Sequence, residues 1–596
     1  MIRKIKSILS EFLNSESNIF KVMTAMIIPA LTVFVAVIAL FVTQSEPVVN
    51  NIDNNINNEF DYSTTYYDNT TKFFSEPTEE IVEPELPNKY FIVGLEYIEQ
   101  NDYENALKYL LLAEEESIRI TGSYSTETCT YRYNLGLLYS YLSKYQEALD
   151  CFNNAMVAFK GNSKNRHMEA LCYKKIGEIY IDMEEGELAI KYSEQALQMI
   201  DLDESRVNYT SFLLSLGNAY CINYNFIEAE KYIELAYKLD MYLNNTDTIK
   251  SSLGYATLLI GMQNYESALD LLEETIILIG EIYNYEESSL ARCYYLLGIT
   301  SIEMGKYDDG VTYTKKSIEI MTNILGAENR NNAVYYHNLA MGYYLQGNIE
   351  KSISTLKISI DINQKYNDKI FLAQQYFSIG IMYENNNDTI EALMYYNKII
   401  DIKNSEVGKH DIFANIINLY ERMAEIYWNS NDSINTLKMY NLMLEEADSE
   451  IERANAYLSI GKTYVKYDYY DRAIEYLEKA LEILGSTYGY DSTETCEAYL
   501  YLGTSLYYMG KYDDAIYYLE KITGQRDFES KVNIYYQTIT FYQIAIVYLS
   551  LEEYDLAQDF FSKALKAFSL MSEEQKKSLE NIERSIIEIM NYTIEE

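Results

Sequence analysis

Leu135-Gly136-Leu137-Leu138-Tyr139, followed by Tyr145-Gln146-Glu147-Ala148, is the stretch of sequence that decides the fold. A similar arrangement returns near the other end of the chain as Leu502-Gly503-Thr504-Ser505-Leu506 and Tyr512-Asp513-Asp514-Ala515. Between these two places, versions of it recur about every forty residues. Self-similarity at this interval indicates stacked supersecondary units, and such arrays bind other molecules far more often than they transform them.

A small residue in the first helix of each unit defines the repeats, and aligning the chain on it gives twelve units spaced by 37 to 44 residues. These small residues are Gly94, Gly136, Gly177, Gly217, Ala256, Gly298, Ala340, Gly380, Ala424, Gly461, Gly503 and Ala545. Nine of the second helices carry a matching alanine, and the other three carry Gly310, Ser352 or Thr436. Small residues on both helices allow a close approach between them. The sequence therefore predicts an all-α chain of about twelve helix-turn-helix repeats over residues 89–572.

The small residue, the tyrosine three positions later and the Tyr-x-x-Ala motif together resemble the tetratricopeptide repeat (TPR) family. Members commonly repeat every 34 residues or so, about eight fewer than here. The longer interval is similar to the long-repeat subtype of kinesin light chains, and Leu325-Gly326-Ala327-Glu328-Asn329 looks like the connecting turn of that subtype. The resemblance implies a right-handed TPR-type α-solenoid whose first helices line a concave groove for peptides or partner domains.

Carried onto this chain, the resemblance gives nine candidate partner-binding residues in the groove: Tyr133, Asn134, Tyr295, His337, Asn338, Tyr344, Glu421, Glu425 and Trp428. Further groove-facing positions are Lys174, Glu178, Asn218, Met341, Lys462 and Tyr507. In the kinesin-light-chain subtype, an asparagine just before the Leu-Gly or Leu-Ala pair bonds the ligand backbone, and Asn134 and Asn338 keep it here. We expect a local peptide site around Asn338, where changing His337 and Asn338 to alanine would weaken a bound peptide and leave thermal stability nearly unchanged. A packing or solvated role is the alternative for each residue.

The N-terminal part of the sequence predicts a membrane anchor. Residues 22–42 are uncharged and mostly apolar, and 21 residues of helix span the roughly 30 Å hydrocarbon core of a bilayer. A cleaved signal peptide is the alternative interpretation, but the apolar stretch is long and no A-x-A-like site follows it. Arg3, Lys4, Lys6 and Lys21 precede the span, so residues 1–21 are expected to be cytoplasmic. These features predict a single-pass cell-membrane protein with an extracytoplasmic solenoid.

Two more segments complete the predicted domain organisation. Residues 43–88 are acidic, rich in asparagine and contain four of the five prolines, which predicts a disordered linker. At the other end, residues 573–596 form an amphipathic segment that is expected to be a helix capping the last repeat.

The charge balance bears on the partner. The chain has 90 acidic and 48 basic residues, a formal net charge of -42. Such a charge disfavours nucleic acid and favours neutral or basic proteins or peptides. Solubility of a long surface is the simpler explanation of the acidity.

No motif in the sequence indicates a catalytic, cofactor-binding or metal-binding site. The three histidines stand in different repeats, the six cysteines are scattered singly, and phosphate-binding loops and nucleophile elbows are missing from the sequence. We therefore expect no catalytic residue, cofactor or metal. The preferred hypothesis is a membrane-anchored, non-catalytic scaffold for protein or peptide partners. A peptide-sensing signal receptor and a cytoplasm-facing assembly platform at the membrane are the alternatives.

Overall fold

Twenty-four α-helices and no strand occur in the part of the chain that this computed structural model describes. That part comprises residues 81–84, 87–100, 102–160, 165–200, 206–243, 247–281, 287–366, 368–405, 416–523 and 534–572, with Lys576, Leu579, Ile586 and Ile587. All of them belong to one unit, Thr70–Glu596. An all-α helical solenoid is thereby confirmed.

The first twelve helices are α1 Lys89–Glu99, α2 Tyr103–Thr121, α3 Thr126–Tyr141, α4 Tyr145–Phe159, α5 Arg166–Asp182, α6 Gly186–Gln198, α7 Arg206–Ile222, α8 Phe226–Leu243, α9 Asp247–Gly261, α10 Tyr265–Glu281, α11 Glu287–Glu303 and α12 Tyr307–Leu325. The next twelve are α13 Arg330–Leu345, α14 Ile349–Tyr366, α15 Lys369–Asn385, α16 Thr389–Ser405, α17 Ile416–Asn429, α18 Ser433–Glu446, α19 Glu450–Lys466, α20 Tyr470–Tyr488, α21 Cys496–Tyr508, α22 Tyr512–Thr523, α23 Ile534–Ser550 and α24 Tyr554–Ser569. Consecutive helices pack in pairs, α1 with α2 and so on to α23 with α24. We call these pairs hairpins 1 to 12.

Close approach at the small residues holds each hairpin together. A Cβ atom added at Gly298 would lie 2.3 Å from Thr314 Oγ1, and one added at Gly380 would lie 2.2 Å from Tyr396 Cε1. The matching alanines of the second helices are at most 2% exposed: Ala106, Ala148, Ala189, Ala229, Ala268, Ala392, Ala473, Ala515 and Ala557. The packing role predicted for the small residues is therefore confirmed.

In hairpins 2 to 12, the turn between the two helices places one residue in the left-handed region. Glycine takes this position in Gly305, Gly347 and Gly510. Eight other turns use a residue with a side chain: Ser143, Glu184, Tyr224, Gln263, Asn387, Asn431, Asp468 and Glu552. Side chains other than that of glycine are disfavoured there, so the turn geometry is imposed by the packing of the two helices.

Replacing Gln263 by glycine is expected to stabilise the protein. Gln263 has φ of 58° and an exposed side chain, so glycine removes a steric penalty of about 1 kcal/mol. Thermal unfolding of the full chain measures the gain. Glu273→Gly, an exposed position inside α10 of the same hairpin, is the control and should lose about 1 kcal/mol. A loss of stability from both substitutions would contradict the prediction.

A buried arginine joins hairpins that are far apart in sequence. Arg330, at the start of α13, donates from Nη1 to the Tyr141 carbonyl oxygen at 2.5 Å and from Nη2 to Ser143 Oγ at 2.6 Å. Its Nη2 also lies 3.0 Å from Asp368 Oδ2, and the side chains of this ion pair are 1% and 4% exposed. Asp368 in addition caps α15 by accepting from the Phe371 backbone N–H at 3.1 Å. The turn of hairpin 2 is thus fixed to the beginnings of hairpins 7 and 8.

Other contacts extend this junction, which we call the seam. The rings of Tyr141 and Tyr366 pack edge to face with centroids 5.9 Å apart. Gln374 Nε2 donates to Glu184 Oε1 at 3.0 Å across 190 residues of sequence. The solenoid therefore curves tightly enough for hairpins 2 and 3 to meet hairpins 7 and 8.

The predicted localisation requires correction. Among the described residues, no helix combines the length and the apolar character needed to cross a bilayer. The longest, α2, α12 and α20, have 19 residues, and each carries at least five charged side chains, which are expensive in hydrocarbon. This finding contradicts the prediction of a single-pass membrane protein with an extracytoplasmic solenoid. The predicted span 22–42 and the segment 1–21 lie outside the described residues.

Both predicted end segments are described only in part. Of the predicted linker 43–88, residues 81–84, 87 and 88 are described. Of the predicted cap 573–596, Leu579 packs with Phe568 and Met571, and Ile586 packs against the last hairpin. These two apolar contacts lie where a cap is expected, and the remainder of 573–596 is outside the described residues except for Lys576 and Ile587.

Candidate functional site

The first helices of the central hairpins are buried on nearly all sides. In α13, 13 of 16 residues are buried, and in α15, 12 of 17 are. In α19, beyond the seam, only 6 of 17 are buried. The nine predicted groove residues lie on different first helices and form three separate groups: in hairpin 2, in hairpins 6 and 7, and in hairpin 9.

The central group is closed to a ligand. His337 and Asn338 are both 0% exposed, and the His337 ring stacks on Phe371 with centroids 5.6 Å apart. Asn338 Nδ2 donates to Tyr295 Oη at 2.5 Å, and the Tyr295 ring stacks on Tyr335. These side chains join hairpins 6, 7 and 8. The expected peptide site around Asn338 is therefore corrected to a packing role, because the tight curvature buries this face, and alanine here would lower stability.

Tyr344 belongs to the same closed region. Its side chain is 7% exposed, and its hydroxyl accepts a hydrogen bond from Asn385 Nδ2 in hairpin 8. Like Asn338, it connects neighbouring hairpins.

Hairpin 3 pairs its predicted groove charges with each other. Glu178 carboxylate oxygens lie 2.6 Å from Lys175 Nζ and 3.4 Å from Lys174 Nζ. Burial alone would raise the pKa of Glu178, but the two lysines outweigh it and lower the pKa to about 2. Lys174 also lies over the Phe212 ring, 5.7 Å from its centroid. The predicted groove residues Lys174 and Glu178 thus form an ion cluster within the array.

The third group is open to solvent on hairpin 9. Glu421 and Glu425 are exposed one helical turn apart, and Trp428 is half-buried. Lys466 Nζ lies over the Trp428 ring, 4.1 Å from its centroid, and donates to the Trp428 carbonyl oxygen. Farther along, Lys462 Nζ pairs with Glu497 at 2.7 Å. This surface is accessible to solvent and carries both acidic and basic side chains.

Asn134 in hairpin 2 binds backbone. Its Oδ1 accepts from the Val82 backbone N–H at 3.0 Å, and its Nδ2 donates to the Val82 carbonyl oxygen at 2.7 Å. A primary amide can accept and donate at once, so it satisfies both polar groups of one residue. Extended backbone presents those two groups on the same side, as in a hydrogen-bonded pair of antiparallel strands. Val82 is therefore held as an extended peptide would be.

Neighbouring contacts fix the rest of this segment. Val82 packs against the buried cluster that includes Tyr133, whose ring is 5.5 Å from that of Phe152. Pro84 is buried, whereas Glu83 is exposed. We call residues 81–84 the N-terminal segment. Of the predicted sites, this one alone has a peptide-like chain lying on it within the described residues.

Asn88 fixes the chain just beyond the N-terminal segment. Its backbone N–H donates to Tyr131 Oη at 3.0 Å, and its Nδ2 donates to the Ala113 carbonyl oxygen at the same distance. Its Oδ1 accepts from the Phe91 backbone N–H and thereby caps α1. The chain is thus attached to hairpins 1 and 2 on both sides of the undescribed residues 85 and 86.

Sequence reasoning missed Val82 and Arg330. Val82 lies in a stretch without hydrophobic periodicity, and the only local signals of extended backbone are its β-branched side chain and the restriction that Pro84 places on Glu83. Arg330 follows the connecting turn and offers no local signal of its partners, since Tyr141 is 189 residues away.

Glu303, a half-buried carboxylic acid at the end of α11, should make stability depend on pH. Burial raises the pKa of Glu303 from 4.5 to about 7, and the hydrogen bond from Tyr265 Oη at 3.3 Å opposes this only partly. Because the folded protein holds the proton more tightly, the stabilising contribution is complete below 4.5 and is lost as pH rises through about 7.

Glu303→Gln is expected to be more stable than the unaltered protein at about pH 8, because the amide stays neutral. The two proteins should have nearly equal unfolding temperatures at about pH 4.5. Thermal unfolding across this range measures the difference. Glu319→Gln makes the same chemical change at an exposed position of α12 and serves as the control. A constant difference between Glu303→Gln and the unaltered protein at all pH values would disprove the assignment.

Family models identify the repeated unit. Models described as tetratricopeptide repeat match residues 93–160, 289–365 and 452–524, and a further one with the same description matches residues 540–568. The chain contains tetratricopeptide repeats. The matched TPR segments correspond to seven hairpins, 1, 2, 6, 7, 10, 11 and 12, so the repeat count from these models differs from the twelve predicted.

A curated relative also contains TPR units. The chain is 24% identical over 358 residues to a TPR repeat-containing protein of Methanocaldococcus jannaschii. This match covers 54% of the chain and spans 57% of the length of that relative.

Several solved structures are similar to this chain at low identity. A Rap protein complexed with Competence and Sporulation Factor is 14% identical, with a TM-score of 0.40, over 60% of this chain and 96% of that one. The apo form of the quorum sensor NprR from B. thuringiensis is 14% identical, with a TM-score of 0.36, over 61% and 99%. A monomeric mutant of IFIT1 with m7Gppp-AAAA is 13% identical, with a TM-score of 0.40, over 77% and 94%.

Proposed function

We propose that this TPR array is a non-catalytic scaffold that binds extended peptide segments of partner proteins. The observation that carries the proposal is the pair of hydrogen bonds from the Asn134 amide to both backbone groups of Val82. A site that binds main-chain groups accepts many sequences, and side-chain pockets beside it supply specificity. The resemblance to kinesin-light-chain repeats supports the same role for Asn134.

The open surface of hairpin 9 supports a proposal about the charge of the partner. Glu421 and Glu425 are exposed there, and the whole chain carries a formal charge of -42. Neutral or basic peptides are favoured over nucleic acid, since a polyanion would be repelled.

A display library of random linear peptides, selected on the immobilised full chain, tests the proposed function. We expect enrichment of sequences without excess acidic residues, and weaker binding of at least some of them after Asn134→Ala or Glu421→Ala. Substitution of Glu273, which is exposed on the second helix α10, should leave binding unchanged. Failure to enrich any peptide would refute the proposal.

A peptide-sensing receptor is the second candidate, and one observation favours it. The N-terminal segment is part of the same chain, so a peptide that displaced it would change the exposure of residues 81–84. Such a change is a signal that another protein can read.

A further inference from the structure

We propose that the surface around Asn134 recognises an extended peptide with a β-branched residue two positions before a proline, and that the N-terminal segment occupies it as an intramolecular ligand. This inference rests on the proposed function and names the ligand class of the same site. Its support comes from the backbone bonds, the packing of the half-buried Val82 and the buried Pro84, and the conformational preference of the segment.

The backbone contact sets the position of the ligand. With the N-terminal segment in place, Asn134 is 2% exposed, so its two hydrogen bonds to Val82 lie away from solvent. Asn134 Oδ1 and Nδ2 bind the N–H and the C=O of one residue, which fixes where that residue lies along helix α3. A ligand that occupies this place must therefore present one residue of extended backbone to Asn134.

Side-chain burial sets the sequence preference. Val82 contacts the apolar cluster of hairpins 2 and 3, Pro84 is buried, and Glu83 between them points to solvent. An exposed side chain between two neighbours that pack against the protein is the alternation expected of extended backbone. The contact thus selects the first and third residues and tolerates any residue between them.

The local sequence favours the bound conformation before binding. Valine is β-branched and prefers extended backbone. Proline restricts the residue before it to the extended region and has no N–H group that needs a partner. A peptide of this kind loses little conformational entropy on binding, which raises its affinity.

Attachment to the array makes the N-terminal segment a strong competitor. Val82 is only seven residues from the first residue of α1, and Asn88 is fixed by the Tyr131 hydroxyl and the Ala113 carbonyl. A short tether gives an effective concentration in the millimolar range. A partner peptide with micromolar affinity must therefore displace the segment or bind poorly.

Peptide binding to the full chain tests the inference. The probe is a fluorescent synthetic peptide with the sequence of residues 79–88 in which glutamine replaces Glu79, Glu80, Glu83 and Glu85, so that it is neutral like the favoured partners, and binding is measured by fluorescence anisotropy. In the Val82→Asp chain, a charge lies against the apolar cluster, so the N-terminal segment should leave the Asn134 site. This chain should then bind the probe at least about tenfold more tightly than the unaltered chain. Adding Asn134→Ala to Val82→Asp should abolish this gain, whereas adding Asn153→Ala, an exposed asparagine of the same hairpin, should preserve it.

Variants of the probe test the sequence preference. Replacing the proline that corresponds to Pro84 by alanine should weaken binding to the Val82→Asp chain, while the same change at the exposed Pro87 position should have no effect. Equal affinity of the probe for the unaltered and Val82→Asp chains, or no binding to either, would overturn the inference. Library peptides that bind independently of Asn134 would then leave the proposed function standing.

Hydrogen exchange gives a readout without added peptide. In Asn134→Ala the Val82 amide should exchange faster, and in Asn153→Ala it should not. Thermal unfolding of Asn134→Ala shows whether the array is still folded. Unchanged exchange of Val82 in a folded Asn134→Ala chain would also overturn the inference.

Discussion

Arg330→Met lowers the free energy of unfolding by about 3 to 5 kcal/mol, the range expected when one partner of a buried ion pair is removed. Methionine keeps most of the aliphatic volume but leaves the Asp368 carboxylate and the Tyr141 carbonyl without their cationic partner. Because the seam joins hairpin 2 to hairpins 7 and 8, the loss should also loosen the superhelix. Thermal unfolding and small-angle X-ray scattering measure the two effects.

Two controls distinguish the contribution of the seam to stability from the general effect of removing a charged side chain. Lys365 pairs with Glu328 at 2.5 Å beside the seam, but the two side chains are 52% and 71% exposed. Lys365→Met should therefore change stability by less than about 1 kcal/mol. Asp368→Asn combined with Arg330→Met should recover part of the loss, since the asparagine still caps α15 without leaving a buried charge. An unchanged unfolding temperature and radius of gyration for Arg330→Met would show that the seam contributes little.

Gly298→Leu should disrupt hairpin 6 and lower stability by about 3 kcal/mol or more. A Cβ at this position would lie 2.3 Å from Thr314 Oγ1, 3.1 Å from the Gly310 carbonyl oxygen and 3.2 Å from the Thr314 backbone nitrogen. Two of these three atoms belong to backbone, so α11 and α12 must separate to admit the side chain. Circular dichroism during thermal unfolding measures the loss.

Gly280→Ala is the matched control for that substitution. Gly280 is also helical, in α10, but a Cβ there would meet nothing within 4 Å. Alanine should raise stability by up to about 1 kcal/mol, because it restricts the unfolded chain and favours helix. Equal unfolding temperatures for Gly298→Leu and the unaltered protein would mean that the helices of hairpin 6 are not held together at this glycine.

Local signals predicted the helices and their pairing well. Gly298 and Gly310 are recognisable because two neighbouring helices can approach only where side chains are small, and this requirement recurs at a fixed interval. The right-handed twist and the kinesin-light-chain subtype remain predictions. The resemblance to kinesin-light-chain repeats, and not a local signal, suggested Asn134 as a residue suited to bind backbone, and it did not indicate which backbone.

Contacts between distant hairpins could not be predicted in this way. Asn338 has the same motif as Asn134 and both are buried, but Asn338 bonds Tyr295 of the neighbouring hairpin, whereas Asn134 bonds the backbone of Val82. The contacts around Asn338 depend on the curvature of the array. Curvature is the sum of small rotations between neighbouring hairpins, so no single repeat encodes it. The Arg330 seam and the closure of the predicted Asn338 site therefore required the three-dimensional structure.

The seam limits how this chain can change in length during evolution. Repeat proteins ordinarily gain or lose units freely, because each unit touches only its neighbours. Here the Arg330 contacts require a set number of hairpins between the second and the seventh, since one unit more or less would carry Arg330 away from Tyr141. Duplication or deletion of repeats should be tolerated after hairpin 8 and selected against between hairpins 2 and 7.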